Sequence, residues 1–220
     1  MKKNKQNLIA AIAHQGVLPL FYCHSVEVSA EIIRLIYKTG IRVVEYTNRG
    51  EAALDNFSIL KKIQEVEMPD LFLGIGTVKS AQDAENFISA GADFLVAPIV
   101  NTDVADLAKQ NDLLWIPGCM TPTEIFNAQS LGAQLVKLFP AGVLGTNFLS
   151  AVRELFPNML FMATGGIDLE RRNIRSWFRA GVCAIGMGNK LISKKILDEE
   201  NYNELFNNLY KVINLVTLSR

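Results

Sequence analysis

Three features of the sequence predict an α/β fold of the (β/α)8 type, a TIM barrel with an extra N-terminal helix and a C-terminal helix. Eight short apolar runs begin near Val17, Ile41, Leu71, Asp93, Leu113, Leu135, Met159 and Val182, spaced 20 to 30 residues apart. Each interval holds one strand and one helix, the size of a βα unit. Several runs, such as Leu113-Leu114-Trp115-Ile116 and Met159-Leu160-Phe161-Met162-Ala163, are apolar on both faces. Strands of that kind belong in a parallel sheet covered by helices. No linker, low-complexity tract or break in composition divides residues 1–220, so a single barrel domain is expected. An open doubly wound sheet is the runner-up.

The elements follow in order. A helix over residues 5 to 14 precedes the first strand. Between Val26 and Lys38, the stripe Ile32, Ile33, Leu35 and Ile36 faces inward, with Glu27, Glu31, Arg34 and Lys38 largely outside it. Gly40 then stops the helix before Ile41, and the same helix-glycine-strand junction recurs at Gly91, Gly132 and Gly181. After the eighth strand, Tyr202, Leu205, Phe206, Leu209, Val212, Ile213 and Val216 form a last helical stripe.

Composition excludes several classes. The 220 residues carry 22 Lys+Arg and 22 Asp+Glu, a formal net charge of zero, which argues against binding to nucleic acid. A hydrophobic content of 50% is too high for a disordered chain. The cysteines Cys23, Cys119 and Cys183 are scattered, without a metal or disulfide pattern, which fits a reducing cytoplasmic setting. The start Met1-Lys2-Lys3-Asn4-Lys5 is like the charged end of a signal peptide, but the apolar run after it is too short, and no apolar run is long enough to span a membrane. His14 and His24 are the only histidines and lie in no ligand-spaced motif, so no metal is expected.

In such a fold the chemistry lies at the C-terminal ends of the strands. Lys137 sits mid-strand in Leu135-Val136-Lys137-Leu138-Phe139, and alternation puts Leu135, Lys137 and Phe139 on one face. A desolvated lysine loses its proton more readily and can attack a carbonyl to form a Schiff base. It can equally snorkel to solvent or pair with a carboxylate. Glu45 shares a face with Val43 and Thr47. Inside one barrel with Lys137 it can move protons, or form a buried ion pair. Arg49 can clamp a carboxylate or lie on the surface. Thr164-Gly165-Gly166 and Gly186-Met187-Gly188 end the last two strands, where barrels of this kind bind phosphate. Asp168 is placed to cap the following helix. His24 is read as a polar surface residue.

Glu45-Tyr46-Thr47-Asn48-Arg49, Gly74-Ile75-Gly76-Thr77-Val78, Ile116-Pro117-Gly118, Val136-Lys137-Leu138-Phe139-Pro140-Ala141 and Thr164-Gly165-Gly166-Ile167 together resemble the class I aldolases that cleave 2-keto-3-deoxy-6-phosphogluconate (KDPG) and 4-hydroxy-2-oxoglutarate (KHG). The resemblance runs from about residue 17 to 191. It implies Lys137 as the Schiff-base lysine and Glu45 as the proton-transfer carboxylate. It further implies Arg49, Thr77 and Phe139 at the keto-acid end and Pro98 in the pocket wall. Thr164, Gly165 and Gly166, with Gly186, Gly188 and Asn189, would hold the phosphate. The family implies a trimer and no cofactor. The sequence departs from the family pattern at Asn48, often Leu; at Tyr22, since no Arg follows Pro19 closely; and at Asn189, often Ser.

The implied reaction splits KDPG into pyruvate and glyceraldehyde 3-phosphate. KHG or the phosphogalactonate epimer is the alternative substrate. An isomerase or epimerase barrel, or a non-catalytic phosphosugar-binding barrel with Lys137 and Glu45 as an ion pair, is the alternative of another class.

Overall fold

The computed structural model describes residues 4–220. The charged start Met1-Lys2-Lys3 lies outside them. The strands are β1 (Val17–Phe21), β2 (Val43–Thr47), β3 (Phe72–Gly76), β4 (Phe94–Val96), β5 (Leu114–Ile116), β6 (Gly118–Cys119), β7 (Leu135–Leu138), β8 (Leu160–Thr164) and β9 (Ala184–Met187). The helices are α1 (Lys5–Gln15), α2 (Val26–Lys38), α3 (Ala53–Glu67), α4 (Ala81–Ser89), α5 (Thr102–Gln110), α6 (Pro122–Ser130), α7 (Ala141–Val152), α8 (Arg171–Ala180), α9 (Lys194–Asp198) and α10 (Tyr202–Thr217).

All strand pairs are parallel, in the order β5-β4-β3-β2-β1-β9-β8-β7-β6. The two ends of that sheet are one stretch of chain, since only Pro117 separates β5 from β6. The sequence predicts eight strands and nine segments are found, because proline has no N–H to give to a ladder. The flanking bonds persist: Ala97 N–H donates to Ile116 O at 3.0 Å and Lys137 N–H to Pro117 O at 2.8 Å. The ring closes through this stretch, which favours the barrel over the open sheet.

Two apolar cores result from the alternation. Val44, Tyr46, Val136 and Leu138 face the helices. Leu18, Val43, Phe72, Phe94, Leu114, Leu135, Met162 and Ala184 fill the inside of the barrel, with Leu8 and Ile12 of α1 packed on them. The first helix is therefore the plug of the barrel's N-terminal end. Gln15 ties it in place: its carbonyl accepts the N–H groups of Arg42 (2.7 Å) and Val43 (3.0 Å), and its amide donates to Val17 O and Val43 O. Arg220 closes the same end by donating to the carbonyls of Ala13 and His14, both at 2.5 Å.

The helix stops behave as their glycines require. Gly40, Gly91, Gly132 and Gly181 have φ of 93°, 89°, 90° and 111°, a region closed to most side chains. Strand starts fall within two residues of expectation, as do both ends of α1 and α2. The five-residue α9, inserted between β9 and α10, has no counterpart in the sequence reading. It is too short to show a hydrophobic period.

Candidate active site

The inner face of the barrel carries Glu45 on β2 and Lys137 on β7, above the apolar filling. In register, Glu45 lies between Leu20 of β1 and Gly74 of β3, and Lys137 between Gly118 of β6 and Met162 of β8. Glu45 is 1% exposed and Lys137 6% exposed. Neither takes part in an ion pair among the described residues. A buried ion pair lies elsewhere, Lys61 with Asp93 at 2.9 Å.

Burial acts on both groups in the direction of neutrality. It pushes the Glu45 carboxyl above the usual carboxylate range, against the pull of the Lys137 and Arg49 charges. It holds the Lys137 amine below the usual lysine range, opposed by the Glu45 charge and helped by Arg49. The Lys137 Nζ stands 4.8 Å from the centroid of the Phe139 ring. An amine so placed is available as a nucleophile nearer neutral pH than a surface lysine.

Room for the carboxylate comes from Gly76. A methyl group there would occupy the position of Glu45 Oε1. In the next layer, Gly186 makes the same allowance for the Thr164 hydroxyl, its register partner. Glu45 Oε2 and Thr164 Oγ1 are both buried with no hydrogen-bond partner in the chain. Each such group costs about 1–3 kcal/mol of stability, and groups of this kind concentrate where a ligand completes them. Gly76→Ala is expected to displace the Glu45 carboxylate and lower kcat about 10²-fold, the low end for a lost acid–base group. Unchanged kcat in that variant would show that the position of Glu45 is not critical.

Around these groups stand the other residues singled out in the sequence. Arg49 is exposed at the mouth, and its charge reaches both Glu45 and Lys137. Thr77 is half-buried at the end of β3 with φ 64°. That conformation is strained for a β-branched residue and typical of functional positions. Pro98 and Phe139 are half-buried at the ends of their strands. Gly165 and Gly166 are both left-handed, φ 87° and 84°, and Gly165 O accepts the Gly142 N–H at 2.7 Å. Gly188 and Asn189 follow β9 at the rim, Asn189 exposed.

Asp168 does not cap the following helix. Glu170 is the N-cap of α8 and makes no side-chain bond there. The Asp168 carboxylate instead pairs with Lys190 Nζ at 3.1 Å, bridging the two glycine loops. Lys190 gave no sequence signal, because it meets Asp168 only when β8 and β9 lie side by side. The three departures also find places. Asn48 donates to Asp83 Oδ1 at 3.2 Å, joining the end of β2 to the first turn of α4. The Tyr22 hydroxyl lies over Gly50, next to Arg49. Asn189 makes no side-chain bond among the described residues. His24 is exposed, as expected, and its carbonyl is held by Asn56 at 2.9 Å. A cavity of about 870 Å³ opens at the opposite end between α1 and α10 and contains none of these side chains.

A model of the family described as "Aldolase: KDPG and KHG aldolase" matches residues 8–208. The chain belongs to this aldolase family. A 2-dehydro-3-deoxy-phosphogluconate aldolase of Haemophilus influenzae is 28% identical over 218 residues, 98% of this chain and all of that one. The enzyme of the same name from Pseudoalteromonas atlantica is 32% identical over 170 residues, 76% of this chain and 77% of that one. The solved 4-hydroxy-2-oxoglutarate/2-dehydro-3-deoxyphosphogluconate aldolase from TTHB1 superposes with a TM-score of 0.81 at 31% identity, covering 94% of this chain and 98% of that one. The protein is thus an aldolase acting on a small molecule, and no helix among its described residues is long and apolar enough to cross a membrane.

Proposed function

We propose that this aldolase cleaves KDPG to pyruvate and glyceraldehyde 3-phosphate with Lys137 as nucleophile and Glu45 as acid and base. The carrying observation is a buried amine without an ionic partner, facing the same interior as a buried carboxyl. The amine attacks C2 of the keto acid, and loss of water leaves a protonated imine. Glu45 takes the C4 hydroxyl proton, the C3–C4 bond breaks, and its electrons pass to the imine nitrogen. Glyceraldehyde 3-phosphate leaves, and the enamine of pyruvate remains. Glu45 returns the proton to C3, and water releases pyruvate and the free amine.

Arg49, Thr77 and Phe139 are assigned to the keto-acid end and Pro98 to the pocket wall. Thr164, Gly165, Gly166, Gly186, Gly188 and Asn189 are assigned to the phosphate, with Lys190 added beside them from its place between the loops. The reaction requires no metal or organic cofactor. Residues 1–220 act as one barrel domain, in the cytoplasm, as a homotrimer. The exposed apolar residues Ile99, Met120, Phe126 and Val143 support self-association.

Two measurements test the reading. Incubation with pyruvate, borohydride reduction and digestion are expected to leave a stable adduct on Lys137; an adduct on another lysine, or none, refutes the imine mechanism. In parallel, KDPG, its galactonate epimer and unphosphorylated KHG are assayed. A higher kcat/KM for KHG than for KDPG would transfer the assignment to the dicarboxylic substrate.

A further inference from the structure

α8 carries Arg171, Arg172, Arg175 and Arg179, all exposed. With Thr146 and Ser150 of α7 and Ser176 of α8 they line a groove of about 740 Å³. None of the four guanidinium groups makes an ion pair or hydrogen bond among the described residues, although exposed Glu170 directly precedes Arg171. Several other cations are matched: Arg34 with Glu31 and Glu67, Arg42 with Asp70, Lys61 with Asp93.

This concentration works against the helix that bears it. Arg171, Arg175 and Arg179 recur every fourth residue, so like charges face one another along one side. Arg171 and Arg172 occupy the first turn, where the helix end is itself positive and acidic residues are favoured; that turn has no acidic residue. What anchors α8 is its opposite face, through buried Ile174, Trp177 and Ala180. A multiply charged anion in the groove would relieve each of these repulsions.

We infer that the groove between α7 and α8 binds a small polyphosphate, an anion with two or more linked phosphoryl groups. Guanidinium forks match phosphate oxygens in pairs. The row from Arg171 to Arg179 extends about 12 Å at the helical rise, more than one phosphate fills. The groove has the volume of a small-molecule site. The zero net charge of the chain argues against a nucleic-acid duplex as the ligand. The groove is lined by none of the residues assigned to the aldolase reaction.

Titration calorimetry with tripolyphosphate and with orthophosphate, on the intact protein and on the double variant Arg175→Gln/Arg179→Gln, tests this. Tripolyphosphate is expected to bind the unaltered protein about tenfold more tightly than orthophosphate and to lose about tenfold in the variant. KDPG cleavage without tripolyphosphate should be unchanged. Equal tripolyphosphate affinity in the variant would place any binding at the barrel mouth and overturn the inference. So would no binding, tighter binding of an oligo-glutamate peptide, or a change in the variant's oligomeric state by light scattering, which would make this face a subunit contact.

Discussion

Lys137→Met is expected to lower kcat for KDPG cleavage by on the order of 10⁴-fold or more, the scale seen when a covalent nucleophile is removed, and to abolish borohydride trapping by pyruvate. The substitution nearly conserves volume and length. The thioether chain introduced there would sit among Leu135, Phe139 and Met162 without a polar end to satisfy. The protein should also become more stable. A lysine whose amine is held below its ordinary pKa costs stability at every pH where it must be buried as ammonium. That cost is complete below the folded-state pKa and disappears as pH rises past the unfolded-state value. The gain in Tm should therefore be larger at pH 6 than near pH 10. Paired melting curves and steady-state kinetics check both parts. Turnover within tenfold of the unaltered enzyme would exclude Lys137 as the nucleophile, and a drop in Tm would show that the amine contributes bonds that burial alone does not reveal.

Glu45→Gln is expected to lower kcat by about 10²- to 10⁴-fold, the usual worth of a positioned acid–base group, and to shift the pH profile. The amide keeps the shape of the carboxyl beside Gly76 but can neither take nor return a proton. The Glu45 charge raises the pKa of Lys137, so its loss lets the amine deprotonate at lower pH. The acid limb of kcat/KM, insofar as it reports the free amine, should move to lower pH. Pyruvate trapping on Lys137 should survive, because the first attack does not need Glu45. Trapping lost together with turnover would mean that Glu45 acts in imine formation. A limb that moves to higher pH would contradict the charge coupling between the two residues.

Much of this site is legible in the sequence because a strand has a period of two. Lys137 between Leu135 and Phe139, and Glu45 between Val43 and Thr47, alternate with Val136, Leu138, Val44 and Tyr46, which face the helices. Once the strands are parallel and ring-closed, both polar residues must share the interior. What alternation cannot say is whether they touch. The ion pair that stood as the alternative is not formed. Gly76, two residues beyond Glu45's register partner Gly74 on the adjacent strand, leaves the carboxylate its room there.

Asp168 shows the opposite case. Local spacing offers it as a helix cap, yet its carboxylate is drawn to Lys190, 22 residues later in the chain. A cap is a short-range bond readable in four residues, whereas this pair depends on β8 and β9 being neighbours. Thr77 is similar. Nothing in Gly76-Thr77-Val78 announces a positive φ, which is imposed when Val78 N–H is held by Val96 O of the neighbouring strand at 3.2 Å.

The repeating βα units, their glycine stops and the inward direction of Glu45 and Lys137 are all written in the chain, because they follow from periodicities of two and 3.6 residues and from the conformations open to glycine. Other features exist only once the chain is folded. Pro117 splits the strand through which the ring closes, α1 plugs the N-terminal end, Lys190 bridges the two glycine loops, and four arginines of α8 are left without partners among the described residues. Each of these depends on which segments, distant along the chain, come to lie side by side.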